Sequence, residues 1–134
     1  MTAALRPFWK IQVHVPVDPP LWGSEQPLNA HPHVRAVVAA LASIPGVGRV
    51  GNYDHVCELA LGWEGYRAKP GAAPRVGTIG ERVVLPSITV TCFLDCDRGE
   101  STFDRIVAAV KAVHPWEHPI IQFSECLLYL PPPA

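Results

Sequence analysis

Hydrophobic residues recur with two different periods along this chain, and the switches between them mark out six elements. From Phe8 to Val17 the period is two. Ile11, Val13, Val15 and Val17 fall on one side, and Lys10, Gln12, His14 and Pro16 on the other. That alternation predicts a half-buried strand. From Pro32 the spacing lengthens: Val34, Val37, Val38 and Leu41 form a helical stripe, Pro32 suits a first helical position, and Pro45-Gly46 ends the run. A second strand is expected from near Gly48 to about Trp63, with His55, Cys57, Leu59 and Leu61 on one face. Residues 65–80 hold Tyr66, Pro70, Gly71, Pro74 and Gly77, which predicts a long hairpin excursion. Alternation returns from Val83, where Ile88, Val90, Cys92 and Leu94 interleave with Thr89, Thr91 and Phe93. Ser101-Thr-Phe-Asp104 reads as a helix start, and Phe103, Ile106, Val107, Val110 and Val113 supply the stripe. His114-Pro115 closes that helix, and Ile120 to Tyr129 is the last strand before a proline tail.

The order strand, helix, strand, strand, helix, strand is that of an α+β, ferredoxin-like βαββαβ sandwich, an antiparallel sheet with both helices on one face. We expect one such domain over residues 1–134, with its core at about 8–130. The proline-rich loop from Asp18 to Ala30, which carries Trp22, is long enough to be a flap or an interface arm. The sheet's second face and its edges need cover, and with 49% hydrophobic residues self-association would supply it.

Composition narrows the partners. A formal net charge of -1, with Lys and Arg scattered, gives no reason to expect nucleic acid or an anionic membrane. No apolar run approaches the roughly 18 residues of a membrane helix. Met1-Thr-Ala-Ala-Leu-Arg6 lacks the features of a signal peptide, so the expected location is cytoplasmic. Cys57, Cys92, Cys96 and Cys126 do not form a disulfide framework or a complete zinc ribbon, and they read as reduced, mostly buried thiols.

Reactive groups gather in two segments, Gly48 to Cys57 and His114-Pro-Trp-Glu-His-Pro119. His114, Glu117 and His118 lie at i, i+3 and i+4, which puts them on one side if a helical turn persists. Such a set suits zinc, copper, nickel or iron. The plainer reading is a helix-to-strand turn, with Glu117 bonded to backbone amides and His114 capping the helix. His55 and Cys57, two apart in the expected strand, would have side chains about 7 Å apart on one face. A mixed nitrogen–sulfur metal site of His55, Cys57, His114 and His118 across a subunit boundary is therefore one expectation. Glu117, His118 and Tyr53 are the candidate catalytic groups for acid–base work, with Asp54 nearby. His14, His31 and His33 read as surface or capping residues. Trp9, Trp22, Trp63 and Trp116 could line an aromatic pocket or an interface. No Walker loop, dinucleotide fingerprint or nucleophile elbow is present.

Gly51-Asn-Tyr53, Cys57, the Gly62/Gly65/Tyr66 turn, Pro70-Gly71-Ala72, Pro74, Gly77 to Glu81 and His114-Pro-Trp-Glu-His-Pro119 together resemble the ferredoxin-like insert domain of the NGG-interacting-factor-like (YqfO-type, NIF3-like) family. That domain is related in fold to CutA divalent-cation tolerance and PII-like signalling proteins. The resemblance runs from about Lys10 to Leu130. It implies a small homo-oligomer, a trimer by analogy with CutA and PII proteins, with clefts between subunits. Full-length members carry a dinuclear metal site in a separate core that these residues do not match, so its hydrolase activity is not implied. Trp116 replaces the usual Tyr, and His118 adds an imidazole.

Three functions are expected in order. The first is a CutA/PII-like module that binds a divalent transition metal or small ligand in intersubunit clefts. The second is a small metal-assisted or acid–base enzyme of a biosynthetic pathway, and the third a structural oligomer.

Overall fold

The computed structural model describes residues 4–17, 31–99 and 101–131. The Asp18–Ala30 loop and its Trp22 lie outside them. The elements are β1 (Leu5–Pro16), α1 (Pro32–Ala42), β2 (Glu58–Arg67), β3 (Arg82–Asp95), α2 (Ser101–Val113) and β4 (Ile121–Tyr129). They build one four-stranded sheet of order β2-β3-β1-β4, antiparallel at every pairing. This is the expected βαββαβ ferredoxin-like fold.

Both helices sit on one sheet face, because a single apolar cluster unites the odd-numbered side chains of β1 with both helical stripes. Ile11, Val13 and Val15 meet Val34, Val37 and Leu41 of α1, Ile106 and Val110 of α2, and Ile88, Val90 and Leu94 of β3. Trp9 adds an edge-to-face contact with Phe103, ring centroids 5.0 Å apart. The opposite face carries Gln12 and His14, whose side chains bond Thr91 and Thr89 across the strands. α1 opens at Pro32, and its N-cap is His31, which is buried and accepts from the His33 amide through Nδ1.

The starts of two strands differ from the sequence reading. β1 begins three residues early, at Leu5, and β2 begins ten residues late, at Glu58 rather than near Gly48. Before β2 the chain coils through left-handed backbone at Gly46, Gly48, Gly51 and His55, with Val50 and Tyr53 bonding each other across a tight turn. Gly48 also donates to the Phe93 carbonyl, an approach that leaves a Cβ at Gly48 only 3.1 Å from the His55 backbone. His55 and Cys57 therefore precede the strand; Cys57 still packs against the core beside Leu59, whereas His55, in left-handed backbone, is exposed and does not continue the alternation.

The β2–β3 ribbon outruns the rest of the sheet. Glu64 to Arg67 pair with Leu85 to Arg82, whereas β1 stops at Pro16, opposite Ser87. This projecting end leaves Trp63 and Val84 exposed on the helix-bearing face, Trp63 at 67%, with Leu61, just before it on the β2 edge, exposed as well. It also gives the turn after α2 something to lean on.

Candidate functional site

The excursion between β2 and β3 is shorter than expected, because β2 continues through Gly65 to Arg67. Its base is closed by the Gly80 amide donating to Ala68 (2.8 Å), and its Pro70-Gly71 turn by the Ala72 amide donating to Lys69 (3.0 Å). The Tyr66 hydroxyl donates to the Val76 carbonyl and holds the excursion over the ribbon. Gly77, at φ 101°, admits no side chain, since a Cβ there would lie 2.4 Å from Val83 Cγ2.

The facing wall is the turn 114–120. α2 ends at Val113, where Pro115 cannot continue it. One β1 residue ties both ends of the turn. His14 accepts from His114 Nε2 at 2.7 Å through its carbonyl, and its amide donates to the Ile120 carbonyl at 3.2 Å. The Trp116 amide donates to His114 Nδ1 at 3.1 Å. The two walls are joined by Glu117 Oε1, which accepts from the Ala73 amide at 2.8 Å. Between them lies a crevice of about 290 Å³, in which Tyr66 and Trp116 stand edge to face at 5.6 Å. Ala72, Pro74 and Ile120 make the remaining walls largely apolar, with Glu117 and His118 at the rim. The Glu64 carboxylate, at the crevice floor, is engaged by the Ser87 hydroxyl at 2.6 Å.

His114 is buried, and desolvation holds its pKa below the ordinary histidine value, partly offset by the His14 carbonyl and the Glu64 charge. Both ring nitrogens are already bonded, so the neutral ring is a structural fastener with no lone pair left for a metal. That corrects its assignment as a ligand. Its ring bonds the neighbouring strand rather than the helix carbonyls, so it is not a helix cap either. Glu117 does bond a backbone amide, as the plainer reading expected.

The remaining candidates are dispersed within one chain. His55 lies with Arg35, Val38 and Ser43 in a separate groove on α1. Its segment adjoins Phe93, whereas the crevice begins at Glu64, opposite Leu85. Eight residues of extended β3 separate these points, roughly 26 Å. Tyr53 is 75% exposed at the distant end, so it does not join Glu117 and His118. Among the described residues, no three His, Cys, Asp or Glu side chains of a single chain are grouped to hold a metal. The expected four-residue metal set and the catalytic trio with Tyr53 therefore do not assemble in one chain.

All four cysteines are free. Only Cys92 is fully buried, which corrects the expectation of mostly buried thiols; desolvation, with Cys57 adding to it, pushes its pKa up to about 12. Cys57, Cys96 and Cys126 are half-buried. Sequence reasoning missed Tyr66, Ala73 and Glu64 as crevice groups. The clue was present in Gly65-Tyr66 followed by Pro and Gly, but nothing local shows which residues an excursion faces.

These features define a ferredoxin-like α+β domain with a crevice between its projecting ribbon and the turn after its second helix. No family model matches the chain. It is 32% identical over 104 residues to a GTP cyclohydrolase 1 type 2 homolog of Mycobacterium leprae, covering 76% of this chain and 24% of that protein. The homolog of the same name from Mycobacterium bovis is 31% identical over 91 residues, covering 66% of this chain and 22% of that protein. A Bacillus cereus protein related to NIF3 shares the fold, with a TM-score of 0.63 and 18% identity over 94% of this chain and 27% of that one. The chain is thus a distant homologue of the NIF3-related, GTP cyclohydrolase 1 type 2 homolog proteins and corresponds to their insert domain. It spans about a quarter of the length of the relatives it matches. No described helix is long and apolar enough to cross a membrane.

Proposed function

We propose that the chain is a binding module that holds a small, partly planar organic ligand in the crevice between the 68–81 excursion and the 114–120 turn. The observation that carries the reading is the crevice itself. Its walls are mostly apolar, with an aromatic corner of Tyr66 and Trp116 and a carboxylate and an imidazole at the rim. Its volume of about 290 Å³ lies at the lower end of small-molecule sites, where apolar walls supply affinity and a few polar groups supply orientation. Glu117 spends one oxygen on Ala73 and keeps the other for a ligand donor. A divalent transition metal between Glu117 and His118 is the alternative occupant, and acid–base turnover by that pair is the enzymatic alternative.

Self-association belongs to the same proposal, with a trimer as the expected state. It is supported by β2 being a sheet edge and by exposed Leu61 and Trp63 on one face of it, with Val84 of β3 beside them. Sedimentation velocity of the full chain tests this part, and a monomer at all concentrations would end it.

The ligand is tested with tag-free protein against GTP, guanosine, nicotinamide, indole and zinc, using ligand-observed NMR and elemental analysis. Saturable binding of an organic probe that weakens at least tenfold in Trp116→Ala supports the reading. Stoichiometric metal lost in His118→Ala would replace it with the metal reading. Absence of binding by every probe would defeat both.

A further inference from the structure

We propose that His114 is a proton-operated latch: its neutral ring bridges the His14 carbonyl of β1 and the Trp116 amide of the crevice wall, and a second proton on the ring breaks the link to Trp116 while the link to β1 stays. The role rests on the ligand-binding reading, but its test does not. His114 Nε2 faces the His14 carbonyl, which can only accept, and Nδ1 faces the Trp116 backbone N–H, which can only donate. Only the neutral Nε2–H tautomer satisfies both partners. In the imidazolium, Nδ1 becomes a donor pointed at another donor, and the Trp116 bond is lost. The His114 backbone bond to Val110 does not involve the ring, so α2 itself stays intact.

The closed wall is also poised to move. The indole Nε1 of Trp116 is buried without an acceptor among the described residues, a cost borne only while the wall is closed. With the Trp116 bond lost, the wall is still held by the His114 ring to the His14 carbonyl, the His14 amide to Ile120, Glu117 to Ala73 and the Tyr66–Trp116 ring contact, so the change is confined to the Trp116 backbone.

The charged and titratable surroundings have opposing effects. Glu64 of β2 and the His14 carbonyl of β1 favour the proton, and burial disfavours it and prevails. The His14 ring is turned to Thr89, Glu117 to Ala73, and Arg75 and His118 line the crevice beyond. Because the folded-state pKa lies below the unfolded one, the latch stabilises fully above the ordinary histidine value. Its contribution is lost as pH falls towards the folded value.

The experiment is a pH 4–8 NMR titration of the isotope-labelled full chain, following the His114 ring nitrogens and the Trp116 amide. The expected result is an Nε2–H ring that protonates below the ordinary histidine value, with Trp116 amide protection falling at the same midpoint. His114→Gln should abolish that transition. His118→Ala should leave it in place, and it serves if His114→Gln does not fold. The proposal is overturned if Trp116 stays protected while His114 protonates, or if the transition disappears in His118→Ala. A normal titration beside a failed ligand panel would retain the latch and remove only the binding reading.

Discussion

Glu117→Ala isolates a side-chain bond that joins the two crevice walls. The Ala73 amide has Glu117 Oε1 as its acceptor at 2.8 Å, 44 residues away in sequence. Glu117 is exposed. The bond is charge-assisted, but water competes for both partners, so its net worth is about 1 kcal/mol. Removing it makes local opening at Ala73 about fivefold easier, since 1.4 kcal/mol corresponds to tenfold. Little else should change, because the excursion keeps its closure at Gly80 and its tie through Tyr66. Amide hydrogen exchange by NMR reads this directly. Ala73 should exchange about fivefold faster, Gly80 at close to its original rate, and the thermal midpoint should fall by about 3–5 °C. Glu117→Gln, which keeps a neutral acceptor, should give an intermediate rate. If Ala73 exchanges identically in Glu117→Ala and the parent, the walls are not coupled through this carboxylate and the account of the crevice is wrong.

Three further outcomes follow from the same geometry. Leu41→Ala empties a fully buried site in the shared core and should cost about 2–5 kcal/mol in denaturant unfolding; a cost under 1 would mean that α1 is not docked as described. Gly77→Ala forces a side chain into left-handed backbone against Val83, so the Gly80 amide that closes the excursion's base on Ala68 should lose exchange protection, and unchanged protection would contradict the excursion's path. Alkylation at pH 8 should modify Cys126 well before Cys92, which is buried with a pKa raised to about 12, and mass spectrometry showing the reverse order would refute the placement of β3.

Much of the fold was legible because both periods are enforced by burial. Ile11, Val13 and Val15 had to share a face, and so did Val34, Val37 and Leu41, whatever the chain did elsewhere. The start of β2 was misread for a local reason. Alternation from His55 through Leu61 looks continuous, whereas the glycines at 46, 48 and 51 were the better guide to turns and a delayed strand. Histidine roles were the least legible. The sequence shows an imidazole with a spacing, but not whether its nitrogens are already bonded, and at His114 both are.

The chain by itself determined the order of elements, their types and the split of apolar from polar faces, since side-chain period and burial are properties of a few neighbouring residues. Only the tertiary structure decided that Tyr66 meets Trp116, that Glu117 reaches Ala73, and that His55 stands at the other end of β3 from His118. Those relations depend on how far the β2–β3 ribbon overshoots β1. That length is set by pairing register between distant strands, and no local pattern encodes it.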